Sequence, residues 1–229
     1  MKMLYDSMFF GVMLSLVAYS IGVIIKQKLK LALFNPLLIS IGLIIAFLAV
    51  SGMEYDTYYK STTIISYMLT PATVCLAVPM YEQMKLLKKN MKAILAGILS
   101  GTITSFICVL VCALIFKFDH TTYVTLLPKS ITTAIGMGVS EEMGGTVTIT
   151  IAAIIITGIV GNMMAETICK LFRIKEPVAK GVAIGTASHA MGTAKAMEMG
   201  YVEGAMSSLS IAVAGVFTVV LSPLFAHII

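Results

Sequence analysis

Six stretches of this chain are apolar for long enough to cross a bilayer, at about 8–25, 33–53, 62–81, 93–116, 146–168 and 205–226. A hydrocarbon core about 30 Å thick needs roughly 20 apolar residues in a helix. A soluble fold cannot hide that much apolar chain within 229 residues when only 12% of them are charged. The mean hydropathy of +0.98 says the same. In lipid the backbone must satisfy its own hydrogen bonds, so the spans are expected to be helices. The expected fold is an all-α integral membrane protein, one polytopic domain over residues 1–229 with about six transmembrane helices. Extracellular scaffold, cytosolic enzyme and nucleic-acid binder are poor fits, and no nucleic-acid partner is expected.

The formal charge of +5 is concentrated in three clusters between spans. They are Lys26, Lys28 and Lys30; Lys85, Lys88, Lys89 and Lys92; and Lys170, Arg173, Lys175 and Lys180. All three can be placed on one side, the cytoplasmic side of the membrane. Both termini then lie outside. The first apolar run ends in lysines, and Lys2 is offset by Asp6, so an uncleaved first span is expected. Cys75, Cys108, Cys112 and Cys169 sit in or beside apolar segments without metal-ligand spacing. They read as packing residues; neither metal nor cofactor is expected. The 17 methionines read as flexible filler. Gly97 and Gly101 form a GxxxG that can admit a close neighbouring helix. His120 and His227 read as loop and interfacial residues.

Two stretches break the apolar pattern. Residues 126–145 read LLPKSITTAIGMGVSEEMGG, and residues 181–204 read GVAIGTASHAMGTAKAMEMGYVEG. If both crossed fully, the third basic cluster would fall on the wrong side. Each is therefore expected to enter and leave on one face, 126–145 from outside and 181–204 from inside. They also match each other. Ala134, Gly136, Glu142, Met143 and Gly144 recur 56 residues later as Ala190, Gly192, Glu198, Met199 and Gly200. Residues 126–168 and 181–226 are thus candidate inverted repeat units, each one re-entrant or broken helical segment plus one span. Broken helices that meet at the midplane are a transporter design.

These stretches supply the candidate site. Helix N-termini ending at membrane depth present free N–H groups that suit an anion. Ser130, Thr132, Thr133, Thr186 and Ser188 offer hydroxyls; Lys129, His189 and Lys195 offer positive charge. Gly136, Gly138, Gly144, Gly145, Gly185 and Gly192 are candidate helix-break glycines. Glu142, His189 and Glu198 are candidate proton carriers. Each has a plainer reading beside it. Lys129 and Lys195 can be surface or snorkelling lysines, His189 a hydrogen-bonded core histidine, and the two glutamates helix-end residues.

LPKSITTAIGMGVSEEMGG and GTASHAMGTAKAMEMGYVEGAMSSLSIAVAG resemble the signatures of the LrgB/CidB family of antiholin-like membrane proteins, most strongly over Leu127–Gly215. The resemblance implies two roles. One is a holin/antiholin-like regulator of murein hydrolase activity and autolysis, working with a small LrgA/CidA-type membrane protein. The other is carriage of small monocarboxylates, because the plastid glycolate/glycerate transporter is similar to the two proteins fused and some bacterial pairs are linked to pyruvate. Ala134 departs from the pattern, where proline is expected in many relatives. The inverted polar repeat is superfluous to a lesion-former, so the leading expectation is a carrier of 2-oxo or 2-hydroxy acids by alternating access, with proton coupling open. A homodimer is expected from the habit of membrane carriers to pair. No HExxH, GxSxG or paired aspartate is present, so enzymatic activity is not expected.

Overall fold

A computed structural model describes residues 7, 9–29, 34–75 and 77–229 of the chain. Lys2, Asp6, Met8 and Lys30, used above for orientation and span limits, lie outside the described residues. Every regular element among the described residues is a helix, and contacts divide the chain into two compact units, Met1–Cys75 and Leu76–Ile229. Among the described residues, four helices are long and apolar enough to cross a membrane: Phe10–Leu29, Met84–Phe116, Val147–Leu171 and Tyr201–Ala226.

The first unit holds α1 (Phe10–Leu29), α2 (Pro36–Ser51), α3 (Tyr55–Ser61), α4 (Thr63–Tyr67) and α5 (Leu69–Cys75). Asn35 caps α2 by accepting the Leu37 N–H at 2.8 Å, Pro36 opens the helix, and Gly52 at φ 65 closes it. At 16 residues α2 is about 24 Å long, shorter than the expected second span. The α1–α2 contact is close at Gly22, where a Cβ would stand 2.9 Å from the Pro36 Cα. Ser15 Oγ lies 2.9 Å from the Tyr58 hydroxyl and ties α1 to α3.

The expected third span, 62–81, is not one helix. It is divided among α4, α5 and α6 (Ala77–Glu82). Pro71 and Pro79 each fall in the first turn of a short helix, where a missing N–H needs no partner. The prolines therefore begin helices here instead of kinking one.

The second unit continues with α7 (Met84–Phe116), α8 (His120–Leu126), α9 (Thr133–Glu142), α10 (Val147–Leu171), α11 (Pro177–Met199) and α12 (Tyr201–Ala226). The basic cluster Lys85–Lys92, expected to lie before the span at 93–116, forms the opening turns of α7. That helix has 33 residues and runs about 50 Å, well past a bilayer core. Its buried stripe, Leu87, Ile94, Ile98, Thr102, Phe106, Val109 and Ala113, keeps helical spacing and faces α11 and α12.

The chain reverses within both polar stretches, although the entering leg of the first hairpin, α8, lies almost wholly before 126–145. In the first, Thr125 at the end of α8 accepts the Thr146 N–H on its hydroxyl at 2.8 Å, and its carbonyl accepts from Thr150 at 2.9 Å. Ser140 Oγ near the end of α9 lies 2.6 Å from the same Thr150 hydroxyl oxygen. A Cβ on Gly136 would meet Ile154 and, at 3.5 Å, the Pro128 carbonyl. Thus α8 runs along α10, turns through 127–132, and α9 returns beside it. In the second stretch, α11 is two helical legs joined at His189, whose φ of 43 and ψ of −140 are non-helical. Gly181 and Gly185 pack on Glu203 and Ser207 of α12, while Thr193 and Met197 of the other leg meet Ser207 and Gly204. Two legs against one segment of α12 require a reversal at His189.

The ends sort accordingly. Tyr123 donates to the Phe225 carbonyl at 3.0 Å, which gathers the start of α8, the start of α10 and the end of α12. The end of α10, both ends of α11 and the start of α12 gather at the opposite end, where Leu87 of α7 packs with Ala205 and Met206. Two of the three basic clusters therefore share one end.

Small residues permit this packing. Gly185→Val would drive a side chain into the Ser207 backbone and is expected to destabilise by about 1–3 kcal/mol or more. Gly138→Ala meets open space in mid-helix and is expected to be neutral or to stabilise by up to about 1 kcal/mol. Thermal unfolding of the two purified variants in detergent checks the contrast.

Candidate functional site at the meeting of the two hairpins

The tips of the hairpins converge on the middle of α10 and α7. His189 Nε2 lies 3.0 Å from the Ile154 carbonyl, which can only accept, so Nε2 carries the proton and donates. Its ring fills the notch left by Gly158, where a Cβ would stand 2.6 Å from Cε1. Ser188 fills the notch at Gly161 in the same way. Asn162 donates to the Met191 carbonyl at 2.6 Å. The Thr193 hydroxyl donates to the His189 carbonyl at 3.0 Å and in turn accepts a hydrogen bond from the Ser207 hydroxyl at 2.6 Å. A bulky residue at this φ is strained by about 1–3 kcal/mol, and these bonds hold it there.

On the other face of the hairpins is a cleft of about 900 Å³. α7 lines one wall through Gly97, Gly101, Ser105 and Cys108, and the first leg of α11 lines the other through Val182 and Thr186. The first hairpin's tip adds Lys129 and Ser130, while Lys89 and Glu176 stand toward the basic end. Gly97 and Gly101 set the width, since Cβ atoms there would stand 3.2 Å from Val182 and 2.8 Å from Thr186.

Two features of the cleft are chemically unfinished. Lys129 is half-buried, and its Nζ donates to Ser130 Oγ at 3.2 Å; among the described residues no carboxylate lies within ion-pair distance of it. Thr186 Oγ1 is buried and has no hydrogen-bond partner. Leaving such a hydroxyl unpaired costs about 1–3 kcal/mol. Ser130 also meets Ser105, oxygen to oxygen, at 3.1 Å, and Ser130, Ser105 and Thr186 line one small void at the base of the cleft. Cation, hydroxyls and an unpaired donor together suit a small anion.

The sequence-derived residues therefore divide. Lys129, Ser130 and Thr186 come together at the cleft. Thr132 caps α9 and Thr133 opens it, so the first-turn N–H groups of α9 lie at the tip. Ser188 and His189 are buried against α10, away from the cleft lining. Lys195 is paired with Glu166 at 2.6 Å and Glu198 at 3.1 Å, toward the basic end. Glu142 lines a separate cavity of about 300 Å³ with His120 and His227. Gly144, at φ 78, and Gly145 make the α9–α10 turn, whereas Gly136, Gly138, Gly185 and Gly192 lie inside helical legs. Sequence reasoning passed over Ser105 and Glu203. Ser105 sits unmarked in an apolar span. Glu203 is buried and paired with Lys180 at 3.7 Å across 23 residues, a separation with no local signature.

Comparison with known proteins gives the family. The model of the LrgB-like family matches residues 15–228. The chain is 40% identical over 218 residues to the antiholin-like protein LrgB of Bacillus mycoides (strain KBAB4), covering 95% of each chain. The proteins of the same name from Bacillus cereus (strain B4264) and Bacillus anthracis (strain CDC 684 / NRRL 3495) match to the same extent. No solved structure matches. This chain belongs to the LrgB-like family and is a multi-pass membrane protein.

Two substitutions separate the idle hydroxyl from a working one. Thr186→Val keeps the shape and removes an unpaired oxygen, so without ligand it is expected to leave stability unchanged or raise it by up to about 1 kcal/mol. Thr193→Val breaks the bonds to His189 and Ser207 and is expected to cost about 1–3 kcal/mol. Melting temperatures in detergent check both.

Proposed function

We propose that this LrgB-like protein carries small monocarboxylates, such as 2-oxo or 2-hydroxy acids, by alternating access. The observation that carries the reading is that Lys129, without a carboxylate partner among the described residues, lines the same cleft as Thr186, whose buried hydroxyl is unpaired. A carboxylate would take one charge-assisted bond from the ammonium and others from Ser130, Ser105 and Thr186. The hairpin tips add helix N-terminal N–H groups at membrane depth. In this reading 126–168 and 181–226 form an inverted repeat, and rocking of the hairpins and their spans exposes the cleft to either side. The basic ends face the cytoplasm and both termini lie outside. The protein sits in the bacterial inner membrane as a homo-oligomer and works with an LrgA/CidA-type small subunit. It is not an enzyme. Proton coupling, through Glu142, His189 or Glu198, would act from outside the cleft.

A second reading has its own support. The relatives bear the name antiholin-like protein, which favours a regulator of murein hydrolase activity and autolysis. The two readings are compatible if monocarboxylate flux sets the state to which lysis responds.

Proteoliposomes separate them. Labelled pyruvate or glycolate is expected to enter saturably, with or without the small subunit. Lys129→Gln is expected to fold normally and to weaken substrate binding roughly 10- to 100-fold, the worth of a charged hydrogen bond. Leakage of an unrelated dye without saturable uptake would leave the regulator standing and remove the carrier.

A further inference from the structure

Five cations crowd the end where α10 finishes and both legs of α11 terminate: Lys170, Arg173, Lys175, Lys180 and Lys195. Three carboxylates answer them there, Glu166, Glu198 and Glu203. Lys195 engages the first two, at 2.6 and 3.1 Å, and Lys180 engages Glu203 at 3.7 Å. Lys170 has only a looser contact with the already occupied Glu166, at 3.6 Å. Arg173 and Lys175 have no carboxylate within ion-pair distance among the described residues. Glu176, next in sequence, lines the cleft on the other side of α11. The surplus of positive charge is thus carried by Arg173 and Lys175.

A basic cluster at a helix end is by itself only an orientation signal. Three observations go further. First, four of the cations, Lys170, Arg173, Lys175 and Lys180, line a concave cavity of about 640 Å³ instead of a convex end. Second, Arg173 holds φ 54, the left-handed turn that closes α10, with the Ile174 N–H reaching back to the Cys169 carbonyl at 2.8 Å. Glycine adopts that conformation freely and an arginine does not, so a guanidinium is presented here against backbone preference. Third, Leu171 and Phe172, immediately before it, are 73% and 70% exposed. In a membrane protein such side chains belong in acyl chains, which sets the cavity at the headgroup level.

From this we infer that the cavity between the end of α10 and the base of the α11 hairpin binds the phosphodiester headgroup of an anionic phospholipid. Arg173 grips it through its planar fork and Lys175 adds charge, while Leu171 and Phe172 lie along the acyl chains. The site is separate from the monocarboxylate cleft and does not rest on the carrier reading. A lipid wedged there bears on α10 and on both feet of the hairpin.

The test is lipid-induced thermal stabilisation of the full chain in detergent. Phosphatidylglycerol is expected to raise the melting temperature by several degrees, and phosphatidylcholine is not. Arg173→Gly together with Lys175→Gln is expected to keep the basal melting temperature, because glycine relaxes the turn, and to lose most of the shift. Lys85→Gln with Lys88→Gln removes equal charge from α7 and is expected to keep the shift. Equal loss in both pairs, an unchanged shift in the first pair, or an equal response to phosphatidylcholine would overturn the site. A full shift from millimolar inorganic phosphate would overturn the lipid as its ligand. Native mass spectrometry gives a second readout: bound phosphatidylglycerol should be retained by the α7 pair and lost from the Arg173 pair.

Discussion

Backbone at membrane depth has no water to fall back on, and every N–H and C=O there must find a partner in the protein. The second unit is organised by that demand. Two helices stop in mid-bundle, at 127–132 and at His189. Their loose ends are secured on α10, through Thr150 for the first hairpin and through Ile154 and Asn162 for the second. The glycines at 158 and 161 make room for side chains that would otherwise clash. A similar demand makes the one buried side-chain oxygen without a partner among the described residues informative. Thr186, whose buried Oγ1 has no partner, lines the same cleft as Lys129, a cation without a carboxylate among the described residues.

Much of this architecture was legible in the sequence because lipid simplifies the code. Apolar length marked the spans that became α1, α7, α10 and α12. The drop in apolarity at 126–145 and 181–204, combined with basic clusters that had to share a side, predicted chain that turns back; the chain reverses within both stretches, although the first hairpin's entering leg, α8, precedes 126–145. The lost third span shows where the code fails. Apolar length over 62–81 is sufficient, but Pro71 and Pro79 fall at positions where a helix begins, and hydropathy does not see that difference. Charge marks Lys85–Lys92 as lying before the span at 93–116, yet those residues are good helix formers and simply extend α7.

The site was legible by residue type more than by residue. Lys129, Ser130 and Thr186 could be chosen because they are polar groups in segments of membrane depth. His189 met the same criterion, but its ring serves the turn: it props a strained backbone against Ile154. Which face of a hairpin leg looks to the cleft depends on the reversal at a single residue, and a sequence carries no direct record of that. Lys195 was ambiguous for a similar reason. Its partner Glu166 is 29 residues away on α10, and only the fold brings them to 2.6 Å.

The central claim is that the cleft holds a small carboxylate by its charge. The most direct measurement is equilibrium binding of labelled pyruvate to the purified protein, with pyruvamide, its neutral amide, as competitor and Lys129→Gln as the paired variant. Saturable binding that pyruvamide does not displace, and that the variant loses, is the predicted result. Binding that survives in Lys129→Gln, or displacement by pyruvamide as strong as that by unlabelled pyruvate, would contradict it.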